Sequence, residues 1–499
     1  MKKLKEKRSE EDNSLNPLSE NDVAAKKAEA KQNKSFRRKV MTITWCVVAL
    51  FISMSGYICY FALANEQELA ENSYNGIQQI LMEQNSRGKI YASGGEVLAE
   101  AVLINGTEVR KYPYEKLFSH VVGYSTHGRA GIEADMNYYL IKSNISLPQK
   151  AANAEKGIKN AGDSIQTTLR VDLQEVASKA LGVYRGAIIV SEPKTGRILA
   201  MVSKPDFDPE EIPEVWNYLV ESSESSVLLN RVTQGLYPPG STFKIITALQ
   251  YIRENNLNID GYSYNCNGHF TSEGLRINCF RGISHGKSDF KYSFAKSCNA
   301  SFANIGLSLH PDEFRTTLDD LLFDGSLLFS LPNNRSRVSL NADTTKAEMM
   351  QITIGQGKTQ MTPLHLNMIT SAISNDGILM RPYLYDAVVT ENGNTVKRFG
   401  NSAMKRLLSA EEAGILQELM ESVVLVGTAT RLLEADYTAA GKTGSAEFGL
   451  VKGESHAWFT GYAPAEDPQV CVTVIIEGAG SGGDYAVPIA KRIFDAYFR

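Results

Sequence analysis

Residues 236–255, LYPPGSTFKIITALQYIREN, place a serine and a lysine at the start of a predicted helix. The Pro-Pro-Gly at 238–240 ends the preceding segment, and apolar residues then recur with helical spacing from Phe243 to Ile252. Ser241 therefore lies at a helix start, where free N–H groups and partial positive charge favour a developing oxyanion. Lys244 follows one turn later among apolar residues, and burial lowers the pKa of a lysine toward that of a useful base.

A serine and a lysine three residues apart occur elsewhere, so the spacing alone is weak evidence. Residues 191–196, SEPKTG, contain both this spacing and a K-T-G sequence. The flanking runs GAIIV and ILAMVS predict a β-hairpin with SEPKTG as its turn. Because Pro193 argues against a helix, Ser191 and Lys194 have no reason to share a face. We interpret this segment as scaffold.

Two further motifs accompany Ser241 and Lys244 in order along the chain. Ser297-Cys298-Asn299 has the form S-x-N and lies on a predicted helical stretch, residues 287–309. Lys442-Thr443-Gly444-Ser445 lies in a strand pattern of small residues, and HAWFTGYAP and QVCVTVIIEG predict the next two strands. A strand of small residues lets an extended peptide pair closely with its edge.

With these motifs the chain resembles the penicillin-binding protein superfamily, specifically the class B monofunctional transpeptidases. The resemblance extends from about residue 86 and includes SRGKIYASGGEVLA, GRAGIE, PPGSTFK, TIGQGKTQMTPLHLNM and GKTGSAE. It implies an α/β transpeptidase domain, an antiparallel sheet with helices on both sides, over residues 166–499. This domain would stand on an elongated α+β pedestal, dimerisation-like, over residues 65–165.

The resemblance also implies roles for the residues of the three motifs. Ser241 would be the nucleophile and Lys244 its general base, while Ser297 would relay a proton to the leaving amine. Asn299 would orient the substrate amide, and Lys442 would supply positive potential.

The remaining implied roles concern substrate binding. Thr443 and Ser445 would hold a terminal carboxylate, with Gly444 between them, and the backbone N–H groups of Ser241 and Ser445 would form the oxyanion hole. The reaction would be acyl transfer from the penultimate D-alanine of a peptidoglycan stem peptide to an amine of a neighbouring strand. β-Lactams would inhibit it by mimicking the D-Ala-D-Ala end, and no cofactor is implied.

These motifs leave alternative functions open. A membrane-anchored serine β-lactamase or a β-lactam sensor shares these motifs and differs in deacylation. A third possibility is a mainly structural scaffold of a wall-synthesis complex. The resemblance implies that a partner makes the glycan strands, a polytopic SEDS-type glycosyltransferase. Whether the enzyme serves elongation, division or sporulation is not encoded in these motifs.

The N-terminal segment predicts a membrane anchor. Residues 1–39 are polar and rich in lysine and arginine, which predicts a disordered cytoplasmic tail. Residues 40–64 are uncharged and long enough to cross a bilayer, so we predict a transmembrane helix with the catalytic part outside the bacterial cell membrane. A cleaved signal peptide is the alternative, since Ala62-Leu63-Ala64 resembles a cleavage site, but the apolar run is long for one.

Composition and cysteines add two constraints. The formal net charge of −4 implies no basic face, which argues against nucleic acid as a partner. Cys266 and Cys279 bracket a short polar loop, where an oxidising compartment would permit a disulfide. With His269 and His285 they are also weak candidates for a zinc site, because the spacing matches no strong pattern.

Overall fold

The structure is a computed structural model that describes residues 19–65, 76–221, 226–272, 274–448 and 454–499. The chain divides into two compact units, residues 1–75 and residues 76–499. The acidic residues Glu66, Glu68 and Glu71, which follow the predicted membrane span, lie outside the described residues.

A single long helix, α1 (Glu20–Ala64), makes up the described part of the first unit. It is long and apolar enough to cross a membrane. The helix begins far upstream of residue 40, so the prediction of a disordered tail is wrong for residues 20–39, while residues 1–18 lie outside the description. Ser19 accepts the N–H of Asp22 as an N-cap, and the Ala-, Lys- and Glu-rich residues that follow have high helix propensity. These local preferences need no buried core.

The second unit contains fifteen described α-helices. They are α2 (Ile77–Gln84), α3 (Ser119–Val122), α4 (Gly131–Asp135), α5 (Asn137–Ile141), α6 (Leu147–Glu155), α7 (Val171–Leu181), α8 (Ile212–Glu221), α9 (Lys244–Glu254), α10 (Phe290–Ala295), α11 (Asn299–Gly306), α12 (Pro311–Asp320), α13 (Lys346–Ile352), α14 (Pro363–Ile373), α15 (Ala410–Leu425) and α16 (Val487–Tyr497).

Nineteen described strands accompany these helices. They are β1 (Asn85–Ser86), β2 (Ile90–Tyr91), β3 (Val97–Ile104), β4 (Thr107–Lys111), β5 (Asn160–Ala161), β6 (Ser164–Thr167), β7 (Gly186–Ser191), β8 (Ile198–Lys204), β9 (Ser263–Cys266), β10 (His269–Ser272), β11 (Leu275–Asn278), β12 (Gly286–Asp289), β13 (Ile378–Met380), β14 (Tyr385–Val389), β15 (Thr395–Arg398), β16 (Ala403–Arg406), β17 (Ala440–Glu447), β18 (Ser455–Ala463) and β19 (Val470–Ile476).

A five-stranded antiparallel sheet, in the order β17-β18-β19-β7-β8, forms the centre of the second unit. Its inner strands are buried along their whole length, as expected for near-continuous apolar runs covered on both faces. Helix α14 packs on one face, where Asn367 accepts the hydroxyl of Ser191 and contacts Cys471 and Thr473. Helices α7 and α16 pack against each other and against the sheet, which confirms the predicted α/β architecture.

The hairpin predicted around SEPKTG is present as β7 and β8. Ser191 is buried at the end of β7, and exposed Lys194 forms an ion pair with Asp467. Gly196 closes the turn with a φ of +82°, and a side chain there would meet the carbonyl oxygen of Arg381. The second S-x-x-K and K-T-G pair is therefore scaffold, as predicted.

A six-stranded sheet, in the order β15-β14-β6-β2-β3-β4, forms the pedestal. Strands β14 and β15 come from beyond the predicted boundary at residue 165, so the pedestal is built from both sides of it. Fully buried Glu133 forms an ion cluster with two arginines of this region. Its carboxylate oxygens lie 2.6 Å from Arg87 Nε and 2.7 Å from Arg110 Nε. The SRGKI and GRAGIE segments meet in this ion cluster.

Candidate active site

Ser241 lies on a tight 3-10 turn (Gly240–Phe243) that runs directly into α9 (Lys244–Glu254). This turn is held from outside the helix, because the N–H of Gly240 donates to the carbonyl of Gly355 at 2.9 Å. Gly240 has a φ of +54°, and a side chain on Gly355 would come within 2.1 Å of the Gly240 carbonyl oxygen. The predicted helix start is confirmed. Because Gly240 and Gly355 have no side chains, their backbones can come this close.

Lys244 is fully buried at the first position of α9 and points at the other motifs. Its Nζ lies 3.1 Å from Ser241 Oγ, 3.3 Å from Ser297 Oγ and 2.6 Å from Asn299 Oδ1. Burial lowers the pKa of Lys244 from its ordinary value to about 8. A lysine with this pKa is partly neutral near physiological pH, so it can take a proton from the serine.

Ser297 lies in the turn between α10 (Phe290–Ala295) and α11 (Asn299–Gly306), not on a helix. The helical prediction for this residue is wrong because its φ of +55° interrupts the helical pattern that the surrounding apolar residues suggest. Asn299 then begins α11, and its Nδ2 donates to the carbonyl of Asn278 at 2.9 Å. The break turns the Ser297 hydroxyl toward both lysines.

Lys442 is fully buried on β17, with its Nζ 2.9 Å from Ser297 Oγ. Burial, together with the nearby charge of Lys244, holds the pKa of Lys442 well below its ordinary value. A permanent positive charge on Lys442 therefore requires a counter-charge, which a substrate carboxylate would supply. Ser297 connects the two lysines through its hydroxyl.

The substrate-binding candidates lie on β17 (Ala440–Glu447), an edge strand of the central sheet. Thr443 Oγ1 lies 2.5 Å from Thr428 Oγ1, and Ser445 Oγ accepts the N–H of Gly482 at 3.3 Å. A Cβ on Gly444 would lie 3.0 Å from the Pro239 carbonyl oxygen and 3.1 Å from Trp458 Cβ, so a side chain at this position would be crowded. The structure thus brings residues of all three motifs together beside β17.

Sequence reasoning missed several residues that support this site. Thr428 comes from the turn after α15 and had no recognisable spacing. Tyr237, which precedes the Pro-Pro-Gly turn, donates its hydroxyl to Glu477 at 2.8 Å, and buried Arg231 contacts the same carboxylate at 2.7 Å. These contacts join residues 240 or more apart in sequence, which no local pattern reveals.

The weak metal candidates are only partly brought together. Cys266, Cys279 and His285 lie in one cluster with Cys298, whereas His269 is not a member of it. The disulfide that an oxidising compartment would permit between Cys266 and Cys279 is not formed: their sulfurs lie 3.6 Å apart and both thiols are free.

Two family models match the chain. One describes the penicillin binding protein transpeptidase domain and matches residues 186–495. The other describes the penicillin binding protein A dimerisation domain and matches residues 87–165.

Similar curated proteins and solved structures carry related names. The peptidoglycan D,D-transpeptidase PbpA of Mycolicibacterium smegmatis is 30% identical over 85% of this chain and 91% of its own. The stage V sporulation protein D of Bacillus subtilis is 28% identical over 79% of this chain and 64% of its own. The ceftriaxone acyl-enzyme complex of penicillin-binding protein A from Mycobacterium tuberculosis superposes with a TM-score of 0.77 at 27% identity, covering 84% of this chain and 100% of that one.

Proposed function

Because this chain belongs to the transpeptidase family of penicillin-binding proteins and is a peptidoglycan D,D-transpeptidase, we propose that Ser241 is its acyl-forming nucleophile. The observation that carries this assignment is the 3.1 Å distance from Ser241 Oγ to the buried amine of Lys244. A base of suitable pKa within hydrogen-bond reach is the geometric requirement for activating a serine.

In the first step Lys244 accepts the proton of Ser241 while Oγ attacks the penultimate D-alanine carbonyl. The bond from that carbon to the terminal D-alanine nitrogen breaks, and the departing amine takes a proton from Ser297. Lys442, 2.9 Å from Ser297 Oγ, returns a proton to that hydroxyl. Asn299 accepts a hydrogen bond from Lys244 at 2.6 Å, which keeps the amine oriented in this exchange.

In the second step an amine of a neighbouring stem peptide attacks the ester carbon. The new amide bond forms as the amine gives up a proton through Ser297 to Lys442, which restores the proton that Lys442 lost in the first step. The ester bond breaks, and Ser241 recovers from Lys244 the proton that Lys244 accepted in the first step. Transfer to an amine instead of water requires that the acyl-enzyme resist hydrolysis.

Substrate would bind along the open edge of β17 as an additional strand. Its backbone groups would pair with those of β17, which has a neighbouring strand only on the β18 side among the described strands. Thr443 and Ser445 would bind the terminal carboxylate, with Gly444 allowing close approach, and the N–H groups of Ser241 and Ser445 would bind the oxyanion.

The membrane topology belongs to the same proposal. Helix α1 would cross the membrane once, with Lys31, Lys34, Arg37, Arg38 and Lys39 on the cytoplasmic side and the catalytic unit outside. A SEDS-type glycosyltransferase is the proposed membrane partner. Protease added to intact cells tests the topology: it should degrade the region beyond residue 76, and full protection would contradict it.

The test of the active-site assignment is intact mass spectrometry of the full chain in detergent after incubation with penicillin. We expect one adduct per chain that persists for hours, and none with Ser241→Ala. Ser191→Ala, in the hairpin, is the matched control and should acylate like the wild type. Turnover within seconds would favour a β-lactamase, and the absence of any adduct on folded protein would favour a scaffold.

A further inference from the structure

An open cavity of about 580 Å³ lies in the pedestal, beside β4, which is the edge strand of the six-stranded sheet. Its wall includes residues of the loop before α4, the first residue of β1 and the segment just before α8. No residue of the three active-site motifs lines it. Its volume is in the range that small ligands occupy in proteins, so the cavity is a candidate for a second binding site.

Arg110 lines this cavity with a guanidinium group that is only partly bonded. Its side chain is 8% exposed, its Nε donates to Glu133 at 2.7 Å and its Nη1 donates to the Gly88 carbonyl at 2.7 Å. The third nitrogen, Nη2, is buried and has no hydrogen-bond partner among the described residues. Because buried polar nitrogens nearly always have an acceptor, this nitrogen indicates a binding site for an oxygen of a ligand.

The charges around the cavity are unbalanced. Five cationic side chains line it, namely Arg87, Arg110, Lys111, Arg129 and Lys159. Three carboxylates pair with four of these cations: Glu133 with Arg87 and Arg110, Glu210 with Lys111, and Glu108 with Lys159. The lining therefore has an excess of two positive charges, which favours an anionic ligand.

Arg129 is the lining cation that has no carboxylate partner in the described part of the chain. It comes from the loop before α4, and its Nη2 donates only to Gln78 Oε1, at the long distance of 3.4 Å. Most of its N–H donors are therefore available to a ligand. Arg110 and Arg129 together provide two guanidinium groups from separate segments that can bind one anion.

The cavity also has an apolar lining, to which Met82, Val109, Ile141, Pro209 and Pro213 contribute. A volume of about 580 Å³ is much larger than a single phosphate ion needs. An occupant that fills it has an organic body attached to its charged group, and this body contacts the apolar side chains.

We propose that this cavity binds the phosphoryl group of an organic phosphate, with Arg110 and Arg129 as its cationic contacts. A phosphoryl group offers three acceptor oxygens, and its charge of about −1.5 to −2 at pH 7 matches the excess of positive charge in the lining. Guanidinium groups suit such a ligand because their N–H donors match the spacing of phosphate oxygens. A single carboxylate would balance only half of the excess. This site is separate from the active site and does not depend on acyl transfer.

The first test is isothermal titration calorimetry of the full chain in detergent with glycerol 3-phosphate and with succinate, at matched ionic strength. Both probes are dianions near neutral pH, so the comparison separates phosphoryl recognition from charge alone. We expect glycerol 3-phosphate to bind, with succinate about tenfold weaker or less. Equal affinity for both probes, or binding of neither, would overturn the proposal.

Two arginine variants locate the binding. Arg129→Gln should weaken binding of glycerol 3-phosphate about 10- to 100-fold, because it removes charged hydrogen bonds. Arg398→Gln is the matched control, since Arg398 is an exposed arginine of β15, at the opposite edge of the same sheet. An equal effect of the two variants, or no effect of Arg129→Gln, would contradict the site.

Arg110→Lys tests the unpartnered nitrogen, because a lysine keeps a cation beside Glu133 while it removes Nη2. Affinity for glycerol 3-phosphate should fall in this variant, and wild-type affinity in cooperatively melting protein would overturn the assigned contact. Arg129→Gln leaves the pairs of Glu133 in place, so it decides the question if Arg110→Lys does not fold.

A final comparison identifies the source of the phosphoryl group. Dihexanoyl phosphatidic acid carries the same phosphate as glycerol 3-phosphate together with two short acyl chains. Tighter binding of this lipid, lost in Arg129→Gln, would support a lipid headgroup as the ligand, because its chains reach the apolar wall. Tighter binding of glycerol 3-phosphate would support a soluble organic phosphate. Binding of the lipid that is unchanged in Arg129→Gln would be detergent-like and would count against the site.

Discussion

Removing the Lys244 side chain distinguishes base-assisted acylation of Ser241 from simple binding of penicillin. In Lys244→Ala we expect the rate constant for acylation by a fluorescent penicillin to fall about 10²- to 10⁴-fold, the usual contribution of a general base. Lys194→Ala is the matched control, because Lys194 occupies the same S-x-x-K spacing but is exposed in the hairpin turn. A similar loss in both variants, or none in Lys244→Ala, would contradict the assigned base.

The pH dependence of acylation follows from the same residue. The pKa of Lys244 is about 8. Below this pH the protonated amine cannot accept the Ser241 proton, and above it the neutral amine can. We therefore expect the acylation rate constant to rise with pH, with a midpoint near that value. Stopped-flow measurements with wild type and Lys194→Ala should give the same curve. A flat or falling profile across this range would be inconsistent with Lys244 as base.

The turn that carries Ser241 depends on contact with the loop after α13. Gly355→Ala should displace that turn, because its Cβ would lie 2.1 Å from the Gly240 carbonyl oxygen. Gly357 has a nearly equal φ, +70° against +72°, but the only close contact of a Cβ there is with Gln351 Oε1, the far end of a flexible side chain, at 2.9 Å. Both variants lose about 1–2 kcal/mol from the left-handed backbone.

Comparing these two variants separates the effect of the close contact between Gly355 and Gly240 from the effect of the left-handed backbone, which both share. Gly355→Ala should lose a further 1–3 kcal/mol or so through overpacking and should acylate more slowly. Gly357→Ala should acylate at nearly the wild-type rate. Urea unfolding and penicillin labelling measure the two effects, and equal behaviour of the variants would show that the contact with Gly240 is unimportant.

Elements with strong local patterns could be predicted from the sequence, and contacts between distant segments could not. The hairpin around SEPKTG, the helix after Ser241 and the strands β17 to β19 follow from apolar periodicity and turn residues. The turn at Ser297 could not be predicted, because a positive φ at a serine leaves no mark on the hydrophobic pattern. Cys298 was missed as a metal candidate because its partners are up to 32 residues away, at the ends of strands whose pairing the sequence does not reveal.

The roles of the active-site residues could be predicted from the sequence only in part. Ser241 and Lys244 were identified by helical spacing, and the structure places their side chains in contact. Lys442 was expected to supply positive potential, yet its burial beside Lys244 opposes that charge. Such an effect depends on how many apolar groups surround the amine, which only the packed structure determines.

The stability of the catalytic unit depends on the buried ion cluster of the pedestal. Glu133→Ala leaves Arg87 and Arg110 buried without their counter-charge and should cost about 3–5 kcal/mol in the free energy of unfolding. The control is Glu100→Ala, which removes a partly exposed pair with Lys89 and should cost about 1 kcal/mol or less. Denaturant unfolding of the full chain in detergent measures both, and equal costs would contradict the argument.

The stabilisation that this ion cluster contributes should decrease in acid. Burial alone would raise the pKa of Glu133, but Arg110 and Arg87 together hold it below its ordinary value. A carboxyl with a depressed pKa in the folded state contributes stability above its unfolded pKa and loses it as pH falls through the folded one. The difference between wild type and Glu133→Ala should therefore shrink in acid, starting below about pH 4.3. A difference that grows in acid would contradict the ion cluster.

Because α1 is one continuous helix, it fixes both the distance along its axis and the angle around its axis between any two of its residues. At 1.5 Å per residue, the 45 residues of this helix extend about 68 Å, roughly twice the thickness of a bilayer's hydrocarbon core. Lys27, Lys31, Lys34 and Arg38 follow one another at intervals of four, three and four residues, so they form a basic stripe along one side. Since no break separates them from the apolar segment, the azimuth of that stripe is locked to the azimuth of every residue in the span. Inserting one residue after Lys39 would rotate the stripe by about 100° with almost no change in composition or charge.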